Sequence, residues 1–242
     1  MKIIAIDSSG LVASVAILDD ENLIAEYTIN YKKTHSETLL PMLDEIKSMT
    51  NLDLSEIEAI AVAKGPGSFT GLRIGSATAK GLAQALNKKI VEVETVDAMA
   101  YQLIGFEGVI CPIMDARRNQ VYSGFYTFEK DETKESGYSF KVLKEQFVAD
   151  MDQVIEELNA MGQQVMFLGD GVPVQLDNIK EKISVNFGLA PAYCNAQKAS
   201  AVAALGMEYA KAGQCIEPKE HKPEYLRLSQ AERERLEKES KA

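Results

Sequence analysis

The chain has 242 residues, enough for one large domain or two of about 120 each. Apolar residues at 46% and charged residues at 26% are ordinary globular values, which excludes a wholly disordered, collagen-like or low-complexity chain. Lys plus Arg at 26 against Asp plus Glu at 36 gives a net charge of -10, so phosphate backbones are repelled at long range unless a basic patch is segregated.

Met1 to Ile6 is a short isoleucine-rich run that ends at Asp7-Ser8-Ser9-Gly10. Leu11 to Leu18 and Leu23 to Ile29 follow, separated by turn residues, and the three together predict an antiparallel meander. Thr34 and Glu37 have the spacing of a capping box, and Leu39, Leu43 and Ile46 recur at helical intervals, with Pro41 either in the first turn or at a kink. Ile57 to Ala63 reads as a strand buried on both faces and Leu72 to Leu86 as a helix. Ile90 to Val93 then returns as a parallel strand.

A second copy of the order β-β-β-α-β-α begins at Val109. It comprises Val109 to Met114, the turn Asp115-Ala116-Arg117-Arg118-Asn119, Val121 to Phe128, a strand around Phe140 to Leu143, a helix near Met151 to Met161, Val165 to Leu168, and a helix near Val174 to Lys182. Asp7 and Asp115 thereby occupy matching hairpin positions. The expected domains are residues 1–105 and 106–195, with an alanine-rich helix over 196–212 completing the first and a polar tail over 213–242. Ser229 to Ala242 reads as a solvated helix or a frayed end.

Asp7, Ser8 and Ser9 at a strand end suit a phosphate and a hydrated metal ion, but equally a plain turn. Asp115 is followed by two arginines and no glycine, so that loop suits an anion or a solvated surface better than a close phosphate cradle. Gly169-Asp170-Gly171 can receive a nucleotide or simply turn the chain. Cys111, Cys194 and Cys215 form no metal or disulfide pattern, His35 and His221 lie far apart, and no phosphate loop with Lys-Ser/Thr or serine-nucleophile elbow occurs. No metal site is expected.

Small residues concentrate along one predicted helix. Gly71, Gly75, Ala79 and Ala83 repeat every four residues, with Ala77, Gly81 and Ala85 on an adjoining row, so another backbone can approach closely. That neighbour is either a partner helix or the chain's own sheet.

The run Gly65-Pro66-Gly67-Ser68-Phe69-Thr70-Gly71-Leu72-Arg73-Ile74-Gly75, with Ala79-Lys80-Gly81-Leu82-Ala83, closely resembles the TsaB (YeaZ) family of bacterial tRNA threonylcarbamoyladenosine biosynthesis proteins. Ile4 to Ser9, His35-Ser36-Glu37, Leu39-Leu40-Pro41, Pro112 to Arg117 and Pro223 to Arg227 extend the resemblance essentially end to end. It implies an α/β fold of two duplicated ribonuclease-H-like domains, as in the actin-like ATPase and sugar-kinase superfamily. It further implies a catalytically silent partner of the transferase TsaD, working with TsaE and indirectly with the threonylcarbamoyl-adenylate synthase; a cytoplasmic location is expected from Met1 to Ile6 running straight into Asp7, short of a signal peptide's apolar core, and from the lack of any eighteen-residue apolar run. Asp7, Ser8, Ser9 and Asp115 are then vestigial phosphate-loop positions. Leu39, Leu43, Ile46, Gly71, Leu72, Gly75, Ala79 and Leu82 are the candidate helical interface, for TsaD or for a homodimer when alone. No cofactor is expected on the chain by itself, ATP or ADP being a candidate at the boundary between partners, and tRNA is met only through the complex. Competing expectations are an ATP-dependent kinase built on Asp7 and Asp115, and a metallopeptidase, for which the zinc ligands are lacking.

Overall fold

The computed structural model describes residues 1–227; the tail expectation for Ser229 to Ala242 lies outside them. Strand β1 (Lys2–Asp7) pairs antiparallel with β2 (Ala13–Asp19) and parallel with β4 (Ile57–Gly65). With β3 (Asn22–Ile29) and β5 (Lys89–Glu94) they form a sheet of order β3-β2-β1-β4-β5. The second sheet repeats it as β8-β7-β6-β9-β10, from β6 (Val109–Asp115), β7 (Gln120–Lys130), β8 (Tyr138–Asp150), β9 (Val165–Leu168) and β10 (Phe187–Leu189). Asp7 closes β1 and Asp115 closes β6, so the duplication holds at the level of individual carboxylates.

Strand periodicity sorts the core of the first sheet. Ile4 and Ile6 face α1 (His35–Thr50) and α2 (Phe69–Leu86), where Leu39, Met42, Leu43, Ile46, Ala79 and Ala83 meet them. Ile3 and Ala5 face the opposite way, onto Val202, Ala203 and Leu205 of a late helix, Ala199–Lys211. The second sheet is covered on one face by α4 (Met151–Met161) and α5 (Gly171–Lys182). Its other face meets α3 (Thr95–Tyr101), so the late helix is α6.

Helix ends follow local chemistry. Thr34 stands at the N-cap of α1, but the capping-box side-chain bonds do not form; its hydroxyl is replaced by backbone pairing of Glu37 N–H with the Thr34 carbonyl at 3.0 Å. Pro41 lies inside α1 on its exposed side. Asn51 and Asn87 end α1 and α2 in the left-handed region, which asparagine tolerates. Short α3 couples the domains: Asp97, pushed up to about 7 by burial, accepts a 2.6 Å hydrogen bond from the Tyr126 hydroxyl on β7.

The chain after α6 runs back along the first domain. Ile216 bridges to Ile90, and fully buried His221 hydrogen-bonds Glu92 (2.7 Å) and Ser76 (2.8 Å). Glu224 N–H then donates to the Lys64 carbonyl at 2.7 Å, which brings Tyr225 and Arg227 to the gap between the two sheets.

Candidate functional site

A cleft of about 670 Å³ opens where the two hairpins face each other. Ser9, Gly10 and Leu11 line one wall with Lys33, His35 and the start of α2. Met114 to Arg118, Tyr122 and Asp170 form the other, and Tyr225 to Arg227 lie across it.

The structure brings Ser9 and Asp115 to this cleft but leaves Asp7 and Ser8 behind its wall. Asp7 is buried, and its Oδ1 accepts from both the backbone N–H (2.9 Å) and the hydroxyl (2.7 Å) of Ser9, while Oδ2 has no partner. Burial raises this carboxyl to about 6, against the pull of those two hydrogen bonds and of nearby His35. Ser8 donates its hydroxyl to the Gly71 carbonyl at 2.9 Å. A Cβ at Gly71 would collide with the Ser8 carbonyl oxygen, and one at Gly75 with the Ser8 hydroxyl. Gly67 meets the Ser9 carbonyl in the same way, and Ser68 N–H donates to that oxygen at 2.6 Å.

These contacts correct the proposed interface. The row Gly71, Gly75, Ala79 and Ala83 faces inward because the β1–β2 loop and the sheet occupy the space that missing side chains leave. Leu39, Leu43 and Ile46 are buried in the same core, Leu72 is buried as well, and Leu82 is half-buried against that core. Of the eight expected interface residues, all but Leu82 are buried and present no surface. The row that does face outward is the adjoining one, Ala77, Gly81 and Ala85; a Cβ at Gly81 would meet nothing within 4 Å. Neighbouring α1 exposes Leu40 (52%) and Met49 (76%).

Asp115 is exposed. Its Oδ1 accepts from Arg117 N–H at 2.7 Å, and its own N–H donates to Asp170 Oδ1 at 3.2 Å. Burial raises the Asp170 carboxyl, opposed by the hydrogen bond from Asp115 N–H. Arg117, Arg118 and Asn119 all have left-handed backbone, φ 63°, 57° and 61°. Arg227 donates its guanidinium to the carbonyls of Ala116 and, at 3.4 Å, Arg117. A nucleotide with its metal, the competing expectation for Asp7 and Asp115, does not fit these residues: one strand-end carboxylate is walled in by Ser9, and the opposite loop offers no glycine for close phosphate approach. Among the described residues no three His, Cys, Asp or Glu side chains gather as a metal-binding group.

Lys33, His35, Tyr225 and Arg227 are cleft residues; the last three stand in stretches that carry the family resemblance, but the sequence assigns none of the four a role at a site. Tyr225 packs on Phe69 with ring centroids 4.5 Å apart and accepts from Arg73 Nε at 3.1 Å, a contact spanning 152 residues that no local pattern announces.

Two sheets of the same strand order, each closing its first strand with an aspartate of which the first is buried, define a protein of two duplicated α/β units. Residues 22–235 match the family described as TsaD: tRNA N6-adenosine threonylcarbamoyltransferase. The chain is 33% identical to the tRNA threonylcarbamoyladenosine biosynthesis protein TsaB of Bacillus subtilis, over 96% of each chain. It is 32% identical to the TsaB of Escherichia coli, over 67% of this chain and 71% of that one. The solved structure of YeaZ from Pseudomonas aeruginosa superposes with a TM-score of 0.76 at 24% identity, covering 93% of this chain and 99% of that one. The chain therefore belongs to the TsaB family, and its work lies in tRNA threonylcarbamoyladenosine biosynthesis. No helix among the described residues is long and apolar enough to cross a membrane.

Proposed function

We propose that this protein is a non-catalytic partner of a TsaD-type transferase in the cytoplasm and acts by heterodimerisation through the outer faces of α1 and α2. The observation that carries this reading is the outward row Ala77, Gly81 and Ala85, beside a helix that exposes Leu40 and Met49. Small side chains let a partner helix approach closely, and exposed Leu and Met supply apolar area that association would cover. Sealing of Asp7 by Ser9 supports a supporting role over a catalytic one. TsaE and, indirectly, the adenylate-forming synthase complete the system, with ATP or ADP as a candidate at the partner boundary. The same face serves a homodimer when TsaD is absent.

The test is reconstituted threonylcarbamoylation of tRNA with TsaD, TsaE and the synthase, comparing no addition, the native chain and Gly81→Trp. Gly81 stands in open space, so the variant is expected to fold, to lose TsaD affinity at least tenfold and to fail in the assay. Gly75→Trp cannot serve, because it collides with Ser8 inside the chain. Full activity without the chain, or unchanged affinity of folded Gly81→Trp, would overturn the proposal.

A further inference from the structure

The acidic chain carries its arginines in one place. All four arginines among the described residues stand in or beside the interdomain cleft: Arg117, Arg118 and Arg227 line it, and Arg73 lies over Phe69, which lines it, at 3.9 Å. None of them is ion-paired with a carboxylate among the described residues, whereas Lys2, Lys64, Lys144 and Lys182 all are. Lys33 is a fifth cation on the cleft and has no salt bridge among the described residues. The two carboxylates of the cleft, Asp115 and Asp170, each spend Oδ1 on a loop N–H. His35, nine-tenths buried, also lines the cleft; its Nε2 hydrogen-bonds the Gly10 carbonyl at 2.9 Å and its Nδ1 has no partner.

We propose that the mouth of this cleft binds the phosphate backbone of RNA, with Arg117 and Arg118 as its principal contacts and Arg227 as the residue that positions their loop. This deepens the proposed function, on which the choice of tRNA as probe rests. Arginine forks match phosphate oxygens, and unpaired guanidinium groups give up no existing ion pair when they bind. Against a net charge of -10, a polyanion can settle only where positive charge is segregated. Tyr225, partly exposed and packed on Phe69, adds one aromatic side chain beside the arginines, where an unstacked base can be held. A mononucleotide is the less suited source of phosphate, since Asp7 is sealed and the second loop has no glycine cradle.

The experiment measures fluorescence anisotropy of a labelled, unmodified tRNA transcript reading codons that begin with adenine. It uses the full chain alone and the chain bound to TsaD, at several salt concentrations. The variant is Arg117→Asn with Arg118→Asn, since asparagine accepts the left-handed backbone of this loop; Lys130→Gln with Lys180→Gln is the control for charge alone. The Kd for tRNA is expected to rise about tenfold in the arginine variant, with the slope of log K on log salt reduced by about 1 to 2, and to stay near native in the control. TsaD affinity, measured separately, is expected to be unchanged. Equal loss in the control, unchanged tRNA binding, or loss of TsaD binding through the arginines would each overturn the proposal. So would weakened binding of ATP alone with tRNA binding intact. Failure of the native chain to bind TsaD sinks the partner reading but leaves this test standing on the chain alone; if the native chain binds tRNA in neither form, the site is wrong.

Discussion

The hairpins β1–β2 and β6–β7 occupy equivalent places in two copies of one topology, each closing its first strand with aspartate, yet they have opposite fates. At the first, Ser8 turns inward onto Gly71 and Gly75 of α2, Ser9 hydrogen-bonds Asp7, and Asp7 becomes a buried carboxyl. At the second, the loop is held outward by Arg227, and Asp115 stays at the surface among arginines. A duplicated fold can therefore keep the same side chain at the same strand end while using it as packing in one copy and as the rim of a basic cleft in the other.

The largest expected effect comes from refilling the space that α2 yields to the first hairpin. Gly75→Leu should cost about 3 kcal/mol or more, because its Cβ meets the Ser8 side chain in a packed interior. Gly81→Leu, on the outer face, should be neutral or stabilising by up to about 1 kcal/mol through helix propensity. Urea unfolding of the pair measures the contrast, and similar midpoints would show that the first loop yields easily.

Next in size is the pH response. Because the folded-state carboxyl of Asp7 is raised to about 6, the protonated form stabilises the fold fully below about pH 4, and that contribution is lost as pH rises through about 6. Asp7→Asn should therefore exceed the native protein in stability at pH 8 by on the order of 1–3 kcal/mol, and match it near pH 4. Asp115→Asn, at an exposed position, should change stability by less than about 0.5 kcal/mol at either pH. A native and an Asp7→Asn stability curve that run parallel would refute the buried-charge account. Third is Ser9→Ala, which removes a 2.7 Å hydrogen bond to Asp7; about 1 kcal/mol is expected, with the decline in stability extended to higher pH.

Long periodic segments were legible in the sequence: the meander, α1, β4, the body of α2 and the repeat itself. Short elements were not. Helix α3 has seven residues and is buried around most of its circumference, so it shows no amphipathic period, and β10 has only three residues. Strand β8 runs over thirteen residues where only the segment around Phe140 to Leu143 stands out, since its alternation is weak at a sheet edge. At the candidate site, the small-residue rows of α2 were plain to see, but spacing alone cannot say which row faces the chain's own loop. That depends on Ser8, 63 positions before Gly71 in the chain. The convergence of Arg73, Arg117 and Arg227 is likewise a product of tertiary structure.

Helix α6 carries a consequence for the order in which the protein is made. Its residues Val202, Ala203 and Leu205 cover the face of the first sheet formed by Ile3, Ala5, Ala61, Val91 and Val93. On the ribosome that face has no cover until the whole second domain has been translated. The first domain to be synthesised is thus the last to be completed.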